Sequence, residues 1–186
     1  MTLWTSLSWL LGAGIGYWAY KSRLSEKLML PVVNLMRHIS PFCWLPLIIL
    51  ISGIGELSVG LVLLLAMLFN AIVISISVFR GIPRDLIENA CLDGACKRSL
   101  LKHIELPLSL SGLIDLYRVL WSVAWTTIIA AEMLGVSSGL GYRLLDFRYL
   151  LRYKEMLTYI LVIGIIGIVT DYALLALKKK LARRKT

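Results

Sequence analysis

The chain has 186 residues, 59% of them hydrophobic, and a mean hydropathy of +0.81. Soluble domains are only ~45–50% apolar, so lipid is the solvent this composition suits, and at ~20 apolar residues per crossing the length holds a handful of transmembrane helices. The net charge of +9 does not point to nucleic acid, because the basic residues fall in gaps between apolar runs rather than on a solvated face beside a packed core.

The first run, 3–20, is uncharged and long enough to cross at ~1.5 Å per residue. It lacks the basic n-region of a signal peptide. Gly12 and Gly16 give it a face of small residues on which another helix packs closely. A second run, 41–54, contains Pro46 and reads as a kinked helix ending at Ser52-Gly53-Ile54-Gly55. The third, 57–79, follows after a tight turn, with Glu56 at an interface.

The segment 80–106 differs in kind, with nine charged residues including Arg84, Asp85, Glu88, Asp93, Lys97 and Glu105, and it must project into water. Pro83 suits a helix first turn, Asp85 and Glu88 lie near that helix's positive end, and Gly94 breaks it before a second short helix through His103. The fourth run, 112–134, is entered through an amphipathic stretch from Pro107, and the fifth, 156–177, carries Asp171 near its end before a basic tail. The expected fold is therefore an all-α polytopic membrane protein, a single domain over 1–186 with about five spans and one charged loop over 80–107.

Lys and Arg number four in 21–40, five in 80–106 and six in the tail, against four in 135–156. The positive-inside rule then places Met1 outside and Thr186 in the cytoplasm. Cys43, Cys91 and Cys96 are odd in number and lack metal-ligand spacing, so they are expected as free thiols. No phosphate cradle, HExxH or GxSxG is present, and neither His38 nor His103 has a plausible partner. No active site, cofactor or metal is expected, and the two histidines read as solvated or loop-packing residues.

Along the fourth run Asp115, Arg118, Ser122, Trp125, Ile129 and Glu132 recur at steps of three and four and share one helical face. A charge at mid-membrane costs ~2.5–3.5 kcal/mol on insertion scales, so that face turns toward protein or a watery path. Asp115 and Arg118 are spaced to pair with each other. Two roles stay open for the stripe: glue between helices, favoured for Asp115–Arg118, and a substrate path, favoured for Ser122 and Trp125. Glu132 lies near the outer end, where a binding protein would also reach it. For Asp171 a cap or local pairing is expected.

The sequence Glu88-Asn89-Ala90-Cys91-Leu92-Asp93-Gly94, followed after nine residues by Ile104-Glu105-Leu106-Pro107, resembles the EAA loop of ABC importer permeases, with Asn89 where the second residue is usually Ala. Ala130-Ala131-Glu132-Met133-Leu134-Gly135, Ser137-Ser138-Gly139-Leu140-Gly141-Tyr142 and Leu45-Pro46-Leu47 with Gly53-Ile54-Gly55-Glu56 resemble the subfamily importing nitrate, alkanesulfonates, taurine or bicarbonate. The resemblance implies a type I importer permease of the bacterial-type cytoplasmic membrane. It implies coupling through Glu88, Asn89, Ala90, Asp93, Gly94, Ile104, Leu106 and Pro107 to separate ATPase subunits. A second, identical permease chain and an extracytoplasmic substrate-binding protein are its further implied partners, in contact with the lipid bilayer and without nucleic acid. Members of that family usually begin with one more helix, so a shortened permease is implied. The rival expectations are a non-transporting scaffold and a secondary transporter driven by an ion gradient.

Overall fold

The computed structural model describes residues 1–183, so the end of the basic tail lies outside them. Among the described residues the chain is helical, with no strand: α1 Thr2–Lys21, α2 Arg23–His38, a 3₁₀ turn Pro41–Trp44, α3 Leu45–Ser52, α4 Glu56–Arg80, α5 Arg84–Leu92, α6 Lys97–Leu100, a π-helical turn Leu101–Glu105, α7 Leu106–Gly135, α8 Leu140–Tyr149 and α9 Tyr153–Arg183.

Three helical stretches, Glu56–Arg80, Arg98–Gly135 and Tyr153–Ala176, are long and apolar enough to cross a membrane, and α2 with Pro41–Ser52 forms a bent pair that makes a fourth. The run 41–54 is thus half of a bent element: its 12 helical residues reach only about 18 Å. The other half is α2, in a segment whose four basic residues and Pro31 read as a loop. As α2 proceeds it runs antiparallel to α4, from the Glu26–Arg80 ion pair, past Val33 against Ile72 and Ile76, to Met36 and Arg37 beside Leu65 and Phe69. The chain then turns by 85° into the Pro41–Ser52 helix.

The core lies where α1 and α7 pack on α4, around Leu63, Met67, Leu116 and Leu120. The small face of α1 does what its spacing predicts. A Cβ on Gly12 would lie 2.2 Å from the Cβ of Ala71, and one on Gly16 2.6 Å from that of Ser75, so the two backbones touch. At the far end from the charged loop, Gly55 N–H donates to the Gly135 carbonyl at 3.1 Å and ties the start of α4 to the end of α7.

α9 is held differently. Leu161, Ile165 and Val169 are each at least 60% exposed, while Ile163 is buried. Apolar exposure around a helix is what lipid permits and water does not.

Candidate functional site

The loop after α4 forms a projecting arm. Pro83 precedes α5 and Asp85 occupies its first turn, where the missing N–H and the helix dipole favour them. The helix ends in a two-bond glycine cap: Ala95 N–H donates to Ala90 O at 3.0 Å and Gly94 N–H to Cys91 O at 3.1 Å. Gly94 closes the cap at φ +81°, a left-handed conformation that side chains with a Cβ resist. No residue of α5 is buried. Glu88, Asn89, Asp93 and Gly94 are exposed and Ala90 half-buried, while Leu92 is 85% exposed.

The second half of the spaced pattern lies beyond α6. Ile104 closes on the protein in the π-turn, and Leu106 and Pro107 are exposed at the start of α7. The π-turn is marked by Leu106 N–H donating five residues back to Leu101 O, which admits one residue more than an α-turn.

Glu105, the variable position of the Ile-x-Leu-Pro pattern, is wholly buried. Its carboxylate accepts from Tyr17 Oη at 2.9 Å and from Lys21 Nζ at 2.7 Å. The rings of Tyr17 and Tyr20 pack against Phe79 beside it. This knot fastens the root of the arm to α1. Glu105 carries no periodic signal of its own; the available clue was Tyr17 and Lys21, four apart on one face of α1.

The polar stripe of α7 meets α9. Arg118 does not pair with Asp115: its Nε and Nη2 donate to the two carboxylate oxygens of Asp171 at 2.7 and 2.6 Å, a bidentate pair. Asp115 pairs with Lys178 instead. In two antiparallel helices, the next turn of α7 toward its start faces residues further along α9, so Asp171 and Lys178 receive Arg118 and Asp115 in order. Asp171 is thereby an interhelical partner and not a local cap. Above this ladder Ser122 and Trp125 line a cavity of about 480 Å³ with Gly167 and Tyr172. The indole of Trp125 lies against bare Gly167, where a Cβ would come within 2.7 Å of Nε1.

Glu132 turns away from this cavity. Its carboxylate accepts from Gly141 N–H at 2.9 Å and pins the corner between α7 and α8, a helix inside what reads as a loop. A Cβ at Gly141 would lie 1.9 Å from the carbonyl oxygen of Ile129. The glycines of the Ser138-Gly139-Leu140-Gly141 stretch are thus needed for close approach. Gly141→Ala is expected to destabilise the corner by about 2 kcal/mol or more, since the obstacle is backbone. Thermal unfolding of the detergent-solubilised variant against Gly164→Ala, where a Cβ meets nothing within 4 Å, checks it.

A bundle of apolar helices, broken once and bearing a projecting charged arm, defines a polytopic membrane protein. Residues 8–186 match the family described as binding-protein-dependent transport system inner membrane component, and the chain belongs to that family. It is 33% identical over 171 residues to a putative ABC transporter permease protein of Methanocaldococcus jannaschii, covering 91% of this chain and 62% of that protein. It is 28% identical over 182 residues to the putative aliphatic sulfonates transport permease protein SsuC of Bacillus subtilis, covering 96% and 66%. The chain therefore spans about two-thirds of the length of these relatives. Its fold is that of a chain of the methionine ABC transporter MetNI in an inward-facing conformation, with a TM-score of 0.79 at 18% identity over 100% of this chain and 92% of that one.

Proposed function

We propose that the chain is the permease subunit of an ATP-binding-cassette importer for a small sulfonate or related oxyanion, that it hydrolyses no ATP itself, and that α5 docks on a separate ATPase. The observation that carries the reading is the arm: a helix with no buried residue, capped by Gly94 and rooted through Glu105 in α1. An uncovered amphipathic helix with exposed Leu86 and Leu92 beside Glu88 and Asp93 suits a groove on a partner. Residues Glu88, Asn89, Ala90, Asp93 and Gly94 would form the contact, with Ile104, Leu106 and Pro107 fixing its base.

The crossings would be α1, the bent α2–α3 pair, α4, α7 and α9. α1 has the length, while its Thr, Ser and aromatic residues dilute its apolar content. Charge orients the bundle with Met1 outside and the arm and C-terminus in the cytoplasm. Lys21, Arg23, Lys27, the five basic residues of 80–106 and the six of the tail outweigh the four in 135–156. A second permease chain completes the path, two identical copies being the simplest closed arrangement, and an extracytoplasmic binding protein delivers the solute.

The test is ATP-dependent uptake of radiolabelled ethanesulfonate into proteoliposomes holding the chain, its co-purified ATPase and the binding protein. Uptake that needs ATP supports the proposal. Uptake that follows an ion gradient and ignores ATP overturns it in favour of a secondary transporter, and ATPase binding without uptake leaves a scaffold.

A further inference from the structure

The broken element α2–α3 places polar groups where lipid would not accept them. Beside the 85° bend, a cavity of about 220 Å³ is lined by Arg37, Trp44, Phe69, Asn70 and Thr127. Asn70 lies 14 residues from the start of α4 and 10 from its end, so the cavity is about 21 Å from one end of that span and 15 Å from the other. Non-helical backbone at such depth persists where it is covered by protein or borders a watery cavity, and transporters built with broken helices use the break for binding.

Arg37 is exposed, and among the described residues no carboxylate lies within ion-pairing distance of it. Glu26 is taken by Arg80, Glu105 by Lys21, Asp171 by Arg118 and Asp115 by Lys178. The α7–α9 cavity has Arg118 balanced by Asp171, and Lys178 balanced by Asp115 beyond it. Arg37 is therefore a cation with no carboxylate partner among the described residues, at a cavity beside the middle of α4. Asn70 adds an amide, one of whose N–H groups goes to Ala66 O at 2.9 Å, leaving a second donor.

We propose that Arg37, with Asn70 and Thr127, is a mid-membrane subsite for the oxyanion head of a small organic sulfonate or carboxylate, whose short hydrocarbon part lies against Trp44 and Phe69. This rests on the permease reading above. The planar guanidinium fork matches such a head with two parallel bonds, and the cavity holds several water volumes of ~30 Å³ each, enough for a solute of a few heavy atoms. A lipid phosphate offers the same chemistry, but its headgroup lies further from this depth than an arginine side chain extends.

The experiment uses thiol modification in membranes holding the full complex. With Cys43, Cys91 and Cys96 replaced by Ser, Asn70→Cys is treated with anionic 2-sulfonatoethyl methanethiosulfonate and with neutral methyl methanethiosulfonate. The anionic-to-neutral rate ratio is expected to exceed that of free 2-mercaptoethanol in the same buffer by about ten-fold, because the cation concentrates anions locally. Arg37→Ala should return the ratio to the control, Arg37→Lys should keep most of it, and dissolved ethanesulfonate should slow the anionic reaction. The neutral reagent reports whether the cavity survives each substitution. No modification from water, a ratio indifferent to Arg37, or protection by anionic-lipid vesicles in place of ethanesulfonate overturns the subsite. With uptake read on the cysteine-free chain that keeps Asn70, a flat ratio beside intact ATP-driven uptake sinks the subsite alone, whereas a raised ratio with no ATP-driven uptake by that chain sinks the permease reading.

Discussion

Gly94→Val is expected to cut ATP-driven uptake at least ten-fold while leaving membrane insertion near normal. The left-handed φ of +81° costs a β-branched residue about 1–3 kcal/mol, and at ~1.4 kcal/mol per decade that strain shifts the cap toward opening by about five-fold to 150-fold. Space is not the obstacle, since a Cβ there meets nothing within 4 Å. Gly94→Asn therefore separates two causes: Asn tolerates this conformation and should keep most uptake if backbone shape is what matters. Uptake and ATPase co-purification at matched expression are the measurements. Wild-type uptake by Gly94→Val with the ATPase bound would remove α5 as the coupling element.

Glu105→Ala is expected to have the second large effect. It leaves Lys21 and Tyr17 without their acceptor at the root of the arm. Breaking a fully buried pair costs ~3–5 kcal/mol, and because Lys21 keeps about a third of its surface in solvent, about 2–3 kcal/mol is expected here. Thermal unfolding of the solubilised protein should fall by several degrees. Glu105→Gln, which can still accept from Tyr17, should fall less. If both variants unfold like the parent, the knot holds nothing.

The parts of this architecture legible in the sequence are those whose signal is local. The runs that became α4, α7 and α9 announce themselves by apolar length, and the arm by its charges, Pro83 and Gly94. The face of Gly12 and Gly16 was visible because close packing demands small residues at that spacing. What stayed hidden depends on partners distant in the chain. Arg118 has an acceptor three residues away in Asp115, and only the antiparallel placement of α9 shows that Asp171 takes it. α2 was masked because Arg23, Lys27, Arg37 and Pro31 dilute its apolar residues, so a helix that climbs beside α4 reads as a loop. Glu105 occupies the position the loop pattern leaves open, and its burial follows from α1, 84 residues earlier.

The π-turn at Leu101–Glu105 sets the azimuth of everything before it. A helix advances about 100° per residue, and the helix from Arg98 to Gly135 runs unbroken through that turn. Forcing all five residues of 101–105 into α geometry would swing α5, with all of its chemistry unchanged, by about that angle around the axis of α7, whereas removing one of them would let the turn revert to α-helix with α5 close to its present azimuth. The π-turn thus takes up a surplus residue without turning the arm away from the polar face of α7, so the spacing between Gly94 and Ile104 holds a direction only as long as that turn stays wide.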